Sequence, residues 1–246
     1  MINKFCRFAA FLTFFALGCI NAGQPIAPSQ PGVPGAVVSR VMRYDGAEYP
    51  FVVYVPTTYD LRTPLPALLL VHGAGGNGPA FLENWRAFAE TNGIILVAPT
   101  LDLSAQAETK VPMVFPRIMD TVQKEWNVDP SRRYLFGYSG GGYFVYDAAL
   151  LNSDYFAGAG IFAAVIQPEY DGIARQAPRK TGIAIYLCDH DQYFSMKDGR
   201  RTRDLLIANG MDVHYTELAN CDHNYSAVAN IVNEDAWKFL ASRSLP

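Results

Sequence analysis

Residues 137–141 read Gly-Tyr-Ser-Gly-Gly, and no other stretch constrains the fold so tightly. The pentapeptide joins a short apolar run, residues 134–137, to a run with helical spacing, residues 141–150. A strand that passes into a helix through so few residues turns sharply, on a strained backbone. Its two arms then come so close that a Cβ at Gly137 or Gly141 would collide with the neighbouring chain. The serine at the apex is lifted to the carboxyl edge of a sheet, and the first helix amides point at any negative charge beside it.

The remaining periodicities predict the sheet to which this turn belongs. Residues 36–43 and 51–55 are β-rich and flank Asp45-Gly46, a hairpin signal. Residues 65–71, 94–98, 158–165 and 183–187 are short apolar runs without alternation, as in strands buried on both faces. Residues 78–91, 111–125, 199–208 and 228–241 carry helical spacing, and residues 213–218 alternate like a strand near a sheet edge. Residues 128–130 read as a turn and 167–180 as a loop. Strands alternating with helices after an opening hairpin predict an α/β fold: about eight mostly parallel strands, an N-terminal antiparallel hairpin, helices on both faces and no large lid. Half of the 246 residues are hydrophobic and 17% charged, enough apolar material for one such core.

The serine at the apex is a candidate nucleophile, because Gly-x-Ser-x-Gly between a strand and a helix is the context in which Ser139 would be activated. An acyl transfer also needs two donors for the oxyanion, a base and an orienting acid. The loop His72-Gly73-Ala74-Gly75-Gly76 follows the strand at 65–71, where the second oxyanion donor is expected. The donors predicted are the backbone N–H groups of Gly140 and Ala74, with Gly75 as the alternative to Ala74. Of four histidines, His72 precedes the serine and suits a structural role, and His214 lies within a strand. His190 and His223 remain, and His223, after the last strand, is the base. The acid follows the strand at 183–187: Asp191 is the choice and Asp189 the alternative. Asp189, His190, Asp191, Asp222 and His223 have the residue types of a metal cluster without a recognisable ligand spacing. No cofactor is expected. Trp85, Phe115, Tyr138, Tyr143, Phe144, Tyr193 and Phe194 are either core or pocket. Tyr138 and Tyr193 adjoin the nucleophile and the acid and are the candidate substrate contacts.

The N-terminus reads as a targeting segment. Lys4 and Arg7 precede an apolar run, residues 8–17, too short to span a bilayer and closed by small residues. Residues 1–22 are therefore expected to be a signal peptide and residues 23–35 a proline-rich spacer. Two processing routes are open: cleavage after Ala22, or lipidation of Cys19 in a lipoprotein signal and a membrane tether through it. Either places the protein outside the cytoplasm, in the periplasm, the extracellular space or on a bacterial membrane. Setting aside Cys6 and Cys19, only Cys188 and Cys221 remain, and export permits a disulfide; two separate buried thiols are the alternative. Cys188 opens the acid loop and Cys221 the histidine loop, and the proposed chemistry requires those loops to touch, which favours the bridge. With a net charge of -3 and only a small basic cluster at Arg200, Arg201 and Arg203, nucleic acid is not an expected partner, and no protein partner is implied.

The run from Val128 to Gly142, Val-Asp-Pro-Ser-Arg-Arg-Tyr-Leu-Phe-Gly-Tyr-Ser-Gly-Gly-Gly, resembles the nucleophile region of the polyhydroxybutyrate depolymerase and feruloyl esterase group of α/β-hydrolases. The His72-Gly73 loop, the segment 92–99, and the order acid loop, helix, Asn209-Gly210-Met211, strand, histidine loop are similar too. The likeness covers roughly residues 48–241 of a catalytic domain at 36–246. It implies hydrolysis of a small or polymeric carboxylic ester without a cofactor, through an acyl-enzyme on Ser139. The chain departs from that group at Cys188, where a glycine is usual, and at Ala74, where a cysteine is usual. The same residues suit two other readings: a catalytically silent binding protein on this fold, or an exported peptidase or acyltransferase.

Overall fold

The computed structural model describes residues 33–103 and 111–246; the expected signal segment and nearly all of the spacer lie outside them. The chain opens with β1 (Val37–Tyr44) and β2 (Ala47–Tyr54), an antiparallel hairpin. Its two-residue turn, Asp45 and Gly46, has positive φ at both positions, the geometry that matches strand twist and that Asp-Gly supplies. There follow β3 (Leu65–Val71), α1 (Gly78–Asn92), β4 (Ile95–Pro99), α2 (Val111–Gln123), β5 (Val128–Tyr138) and α3 (Gly140–Leu151). The chain continues through β6 (Gly158–Phe162), a 3-10 run (Pro168–Gln176), β7 (Gly182–Cys188), α4 (Met196–Ala208), β8 (Asp212–Leu218) and α5 (Tyr225–Ala241).

One eight-stranded sheet runs in the order β1-β2-β4-β3-β5-β6-β7-β8. β1, β2 and β4 pair antiparallel, and every pairing from β4 through β3 to β8 is parallel. Alternating residues of each strand serve opposite faces. Leu69 and Val71 pack with Phe115, Ile118, Phe144 and Val145 of α2 and α3, whereas Leu68 and Leu70 pack with Trp85 of α1 and with Val232 and Ala236 of α5. β3 leads outward to β4 and the chain returns to place β5 on the other side of β3. Helices α1 and α3, which follow these two strands, therefore lie on opposite faces. Between the carboxyl ends of β3 and β5 the crossovers part, leaving a crevice of the kind that holds ligands in open α/β sheets.

Three sequence readings are corrected. Residues 128–130 do not interrupt the strand: Val128 already pairs with Leu65, and the register shifts before Arg133 pairs with Ala67. The turn chemistry persists inside that irregularity, where Asp129 Oδ1 accepts from Ser131 N at 2.9 Å and from Ser131 Oγ at 2.7 Å. The stretch 167–180 contains the 3-10 run, entered through Pro168. Helix α4 starts at Met196 because Ser195 caps it, its hydroxyl accepting from Asp198 N at 3.1 Å. Of the aromatic residues left between core and pocket, Trp85 and Phe115 are fully buried in the core. Each contributes a few kcal/mol of apolar burial, roughly 1.5–3 for a side chain of this kind.

Candidate active site

Ser139 stands alone between the end of β5 and the first turn of α3. Its φ of 52° and ψ of -122° lie where a residue with a side chain is rarely found, a conformation that costs about 1–3 kcal/mol. The surroundings enforce it. Ser139 N donates to Phe162 O at 3.0 Å, and Gly142 N donates to Ser139 O at 2.8 Å. A Cβ on Gly137 would lie 2.7 Å from both Gly141 O and Val145 Cγ2, and one on Gly141 would lie 2.3 Å from His72 O. The strand, the helix and the loop after β3 therefore meet at distances that only glycine permits.

Three side chains from three loops form a continuous hydrogen-bonded series. Ser139 Oγ is 2.8 Å from His223 Nε2, and His223 Nδ1 is 2.7 Å from Asp191 Oδ2. A carboxylate only accepts, so Nδ1 carries the proton and Nε2 is left as the acceptor for the serine hydroxyl. The Asp191 side chain is wholly buried and His223 is 12% exposed. Burial without partners would disfavour the carboxylate, but Oδ1 accepts from Tyr193 N at 2.8 Å and Phe194 N at 3.0 Å.

Asp189 is separated from this series. It is exposed, and its Oδ1 accepts from Cys221 N at 3.3 Å while its own N–H donates to Leu218 O at 2.9 Å. Main-chain donors, Asn220 first, hold its carboxyl below the usual range. His190 is exposed, 3.9 Å from Asp189. The loops are further joined by His190 N donating to Cys221 O at 3.0 Å and by a disulfide between Cys188 and Cys221. Among the described residues, no three His, Cys, Asp or Glu side chains group as a metal site.

The loop after β3 lies over the nucleophile. Gly76 N donates to Gly73 O at 3.0 Å, closing a tight turn in which Gly75 has a φ of 74°. Ala74 N comes within 3.2 Å of where a Cβ on Gly140 would sit. The loop backbone thus lies against the first residue of α3, and among the described residues no acceptor is seen for the N–H of Ala74 or of Gly140. His72 anchors the loop: Nδ1 donates to Gly73 O at 2.7 Å and Nε2 accepts from Leu101 N at 3.1 Å. Burial holds its imidazole below the usual value and keeps it neutral.

A cleft of about 440 Å³ opens over Ser139. Tyr193, 70% exposed, stands on its rim with its ring edge-on to His223 at 4.7 Å. Tyr138 lines the cleft as well, but its hydroxyl donates to His223 O at 2.8 Å, so its polar end supports the histidine loop. Sequence reasoning did not single out Tyr143 and Phe194 as cleft residues, though both line it. Their spacing was the available signal: Tyr143 is one helical turn beyond Ser139, and Phe194 is three residues beyond Asp191, in the turn its carboxylate organises. Phe144 is nearly buried beneath them.

No family model matches the chain. A stretch of 121 residues, 45% of the chain, is 31% identical to a bifunctional acetylxylan esterase/xylanase of Neocallimastix patriciarum and spans 17% of that protein. A thermostable esterase superposes with a TM-score of 0.69 at 20% identity, over 86% of this chain and 64% of that one. The fluorophosphonate-binding serine hydrolase F of Staphylococcus aureus gives 0.69 at 18% identity over 84% and 99%. A ferulic acid esterase of Anaeromyces mucronatus gives 0.69 at 15% over 85% and 89%. At such identities the likeness speaks to architecture. With the eight-stranded sheet and its switch point beside Ser139, the chain has the α/β-hydrolase fold.

Proposed function

We propose that this protein is an exported serine esterase that cleaves a carboxylic ester through an acyl-enzyme on Ser139. The observation that carries the reading is the series Ser139 Oγ, His223 Nε2, His223 Nδ1, Asp191 Oδ2, with both contacts below 3 Å. His223 takes the hydroxyl proton as Oγ attacks the ester carbonyl, and Asp191 steadies the imidazolium that results. The N–H groups of Ala74 and Gly140 face the new oxyanion, aided by the amino end of α3. His223 then returns the proton to the departing alcohol. Water repeats the sequence on the acyl-enzyme and releases the acid, leaving Ser139 and His223 as they began.

The esterase relatives favour this reaction over a silent binding role, and the complete set of groups is what a silent protein would not need to keep. One relative is named for acetylxylan and another for ferulic acid, which makes small acetyl or aromatic acyl esters the first substrates to try. The disulfide between the loops supports export, as does the leader-like N-terminus. Mass spectrometry of the mature N-terminus distinguishes cleavage after Ala22 from lipidation at Cys19.

The test is fluorophosphonate labelling beside hydrolysis of p-nitrophenyl butyrate. Wild type should label and turn over, and folded Ser139→Ala should lose both, with turnover down by about 10⁴ or more. Turnover that survives in Ser139→Ala would place the chemistry elsewhere.

A further inference from the structure

The His223 imidazole has two polar edges and two faces, and the proposed reaction uses only the edges. Nδ1 meets Asp191 Oδ2 at 2.7 Å and Nε2 meets Ser139 Oγ at 2.8 Å. The faces make no hydrogen bond. The ring nonetheless carries a full positive charge from the moment Nε2 takes the serine proton until that proton passes to the departing alcohol. With the side chain 12% exposed, water reaches little of that charge. A charge withdrawn from water is costly unless something replaces the solvent, so what surrounds the ring bears on the rate.

Aromatic rings surround it. Phe194 stacks against the imidazole at 28°, with centroids 5.8 Å apart. Tyr138 is tilted by 41° at 5.2 Å, and Tyr193 stands at 67° and 4.7 Å. All three are within the ~6 Å over which the face of a ring attracts a cation. The Tyr138 hydroxyl is committed to His223 O, whereas the Phe194 side chain has only its ring to offer. That ring is held in place. Phe194 N donates to Asp191 Oδ1 at 3.0 Å, the next residue, Ser195, caps α4, and Tyr143 meets the ring edge-on at 6.0 Å. The charged and titratable groups near the imidazole, besides these phenols, are the Asp191 carboxylate, the exposed Asp189 and His190 of the acid loop, the exposed Asp222 that precedes it, and buried His72 at the start of the loop after β3. The described lining of the cleft includes no lysine or arginine.

We propose that Phe194 is a positioning residue that presents its ring face to the His223 imidazolium and stabilises the charged form through which both halves of the reaction pass. The inference rests on His223 being the base of the proposed esterase. One residue then serves both partners, its N–H steadying the acid and its ring the base. The ring acts through His223 alone: the proton still moves from Ser139 Oγ to Nε2 and from there to the alcohol oxygen.

The experiment measures kcat/KM for p-nitrophenyl butyrate against pH in wild type, in Phe194→Leu, in Phe194→Tyr and in a protein carrying pentafluorophenylalanine at position 194. The fluorinated ring keeps nearly the same shape but has a face of opposite polarity. A stabilised imidazolium favours both proton uptake by the free enzyme and the transition state. Its loss in Phe194→Leu should therefore lower the plateau by about threefold and move the acid limb about half a pH unit to lower pH. Both effects should be larger with the fluorinated ring, and Phe194→Tyr should restore most of each. A fluorinated protein that keeps the wild-type acid limb would overturn the proposal, leave the ring as a wall of the cleft and leave the esterase reading standing. So would an acid limb that disappears in His190→Gln, which would assign it to that exposed imidazole. Wild type that hydrolyses no ester at any pH would overturn both readings.

Discussion

At the scale of single residues, two aspartates two positions apart in one loop region have opposite fates. Asp191 turns inward to His223, and its other oxygen holds Tyr193 N and Phe194 N. Asp189 turns outward and fastens Cys221. Asp191→Asn should cut kcat by about 10³–10⁴, because the amide favours the wrong imidazole tautomer. Asp189→Asn should lose less than tenfold, in line with one exposed, weakened hydrogen bond. Steady-state kinetics of the two variants on p-nitrophenyl butyrate decides between them. The sequence ranked these residues in this order without geometry, since both follow the same strand and both types are common in turns. Tyr138 was less legible. Adjacency to Ser139 suggested a substrate contact, but the direction of a phenol depends on the loop it meets, and its hydroxyl meets His223 O. Burial, with the Asp191 charge adding to it, raises its pKa and keeps it a donor.

At the scale of elements, the elbow and the buried strands were legible because sterics and burial act locally. Gly137 and Gly141 are required by atoms of the same turn and of the adjoining strand, and continuous apolar runs mark β3, β4 and β7. The start of β5 was not legible, because Asp129 makes turn contacts while its neighbour Val128 pairs with β3, and pairing is a long-range property. The loops after β7 and β8 are joined by the disulfide and by main-chain bonds across 33 residues. A ring of that size stabilises by roughly 3–4 kcal/mol on chain-entropy grounds. Cys188→Ser should therefore unfold at lower urea concentration than wild type. Its kcat should fall further than its KM rises, because the ring contains the proposed acid and the proposed base follows its closing cysteine by two residues. An equal urea midpoint for the two proteins would show that the bridge contributes nothing.

At the scale of the whole molecule, the order of the strands decides where chemistry can occur. The return of the chain from β4 to β5 puts the His72–Gly76 loop and Ser139 on adjacent strands, with helices departing to opposite faces. The alternation of strands and helices foretold a mostly parallel sheet, but the sequence does not state the order of its strands, and the crevice follows from that order. His72 ties this region to the segment after β4. Its burial lowers the folded-state pKa, so the unfolded chain takes up a proton near pH ~6.5 that the folded chain refuses. The stability this contributes is complete above that pH and is lost as pH falls toward the lower folded value. The urea midpoint should drop between about pH 7.5 and pH 5, and the drop should be smaller in His72→Gln. A drop of equal size in the variant would assign it to other groups.

The disulfide also changes what a protease can accomplish. Cys188 and Cys221 enclose α4 and β8, and the chain between them includes the exposed residues His190, Tyr193 and Lys197. A single cut within that interval opens a ring without dividing the molecule. The nicked protein would keep its full mass on a non-reducing gel and come apart only when reduced. Under the proposed export, into surroundings where peptidases are plentiful, the segment next to the proposed chemistry could be clipped once without the two ends being released from each other.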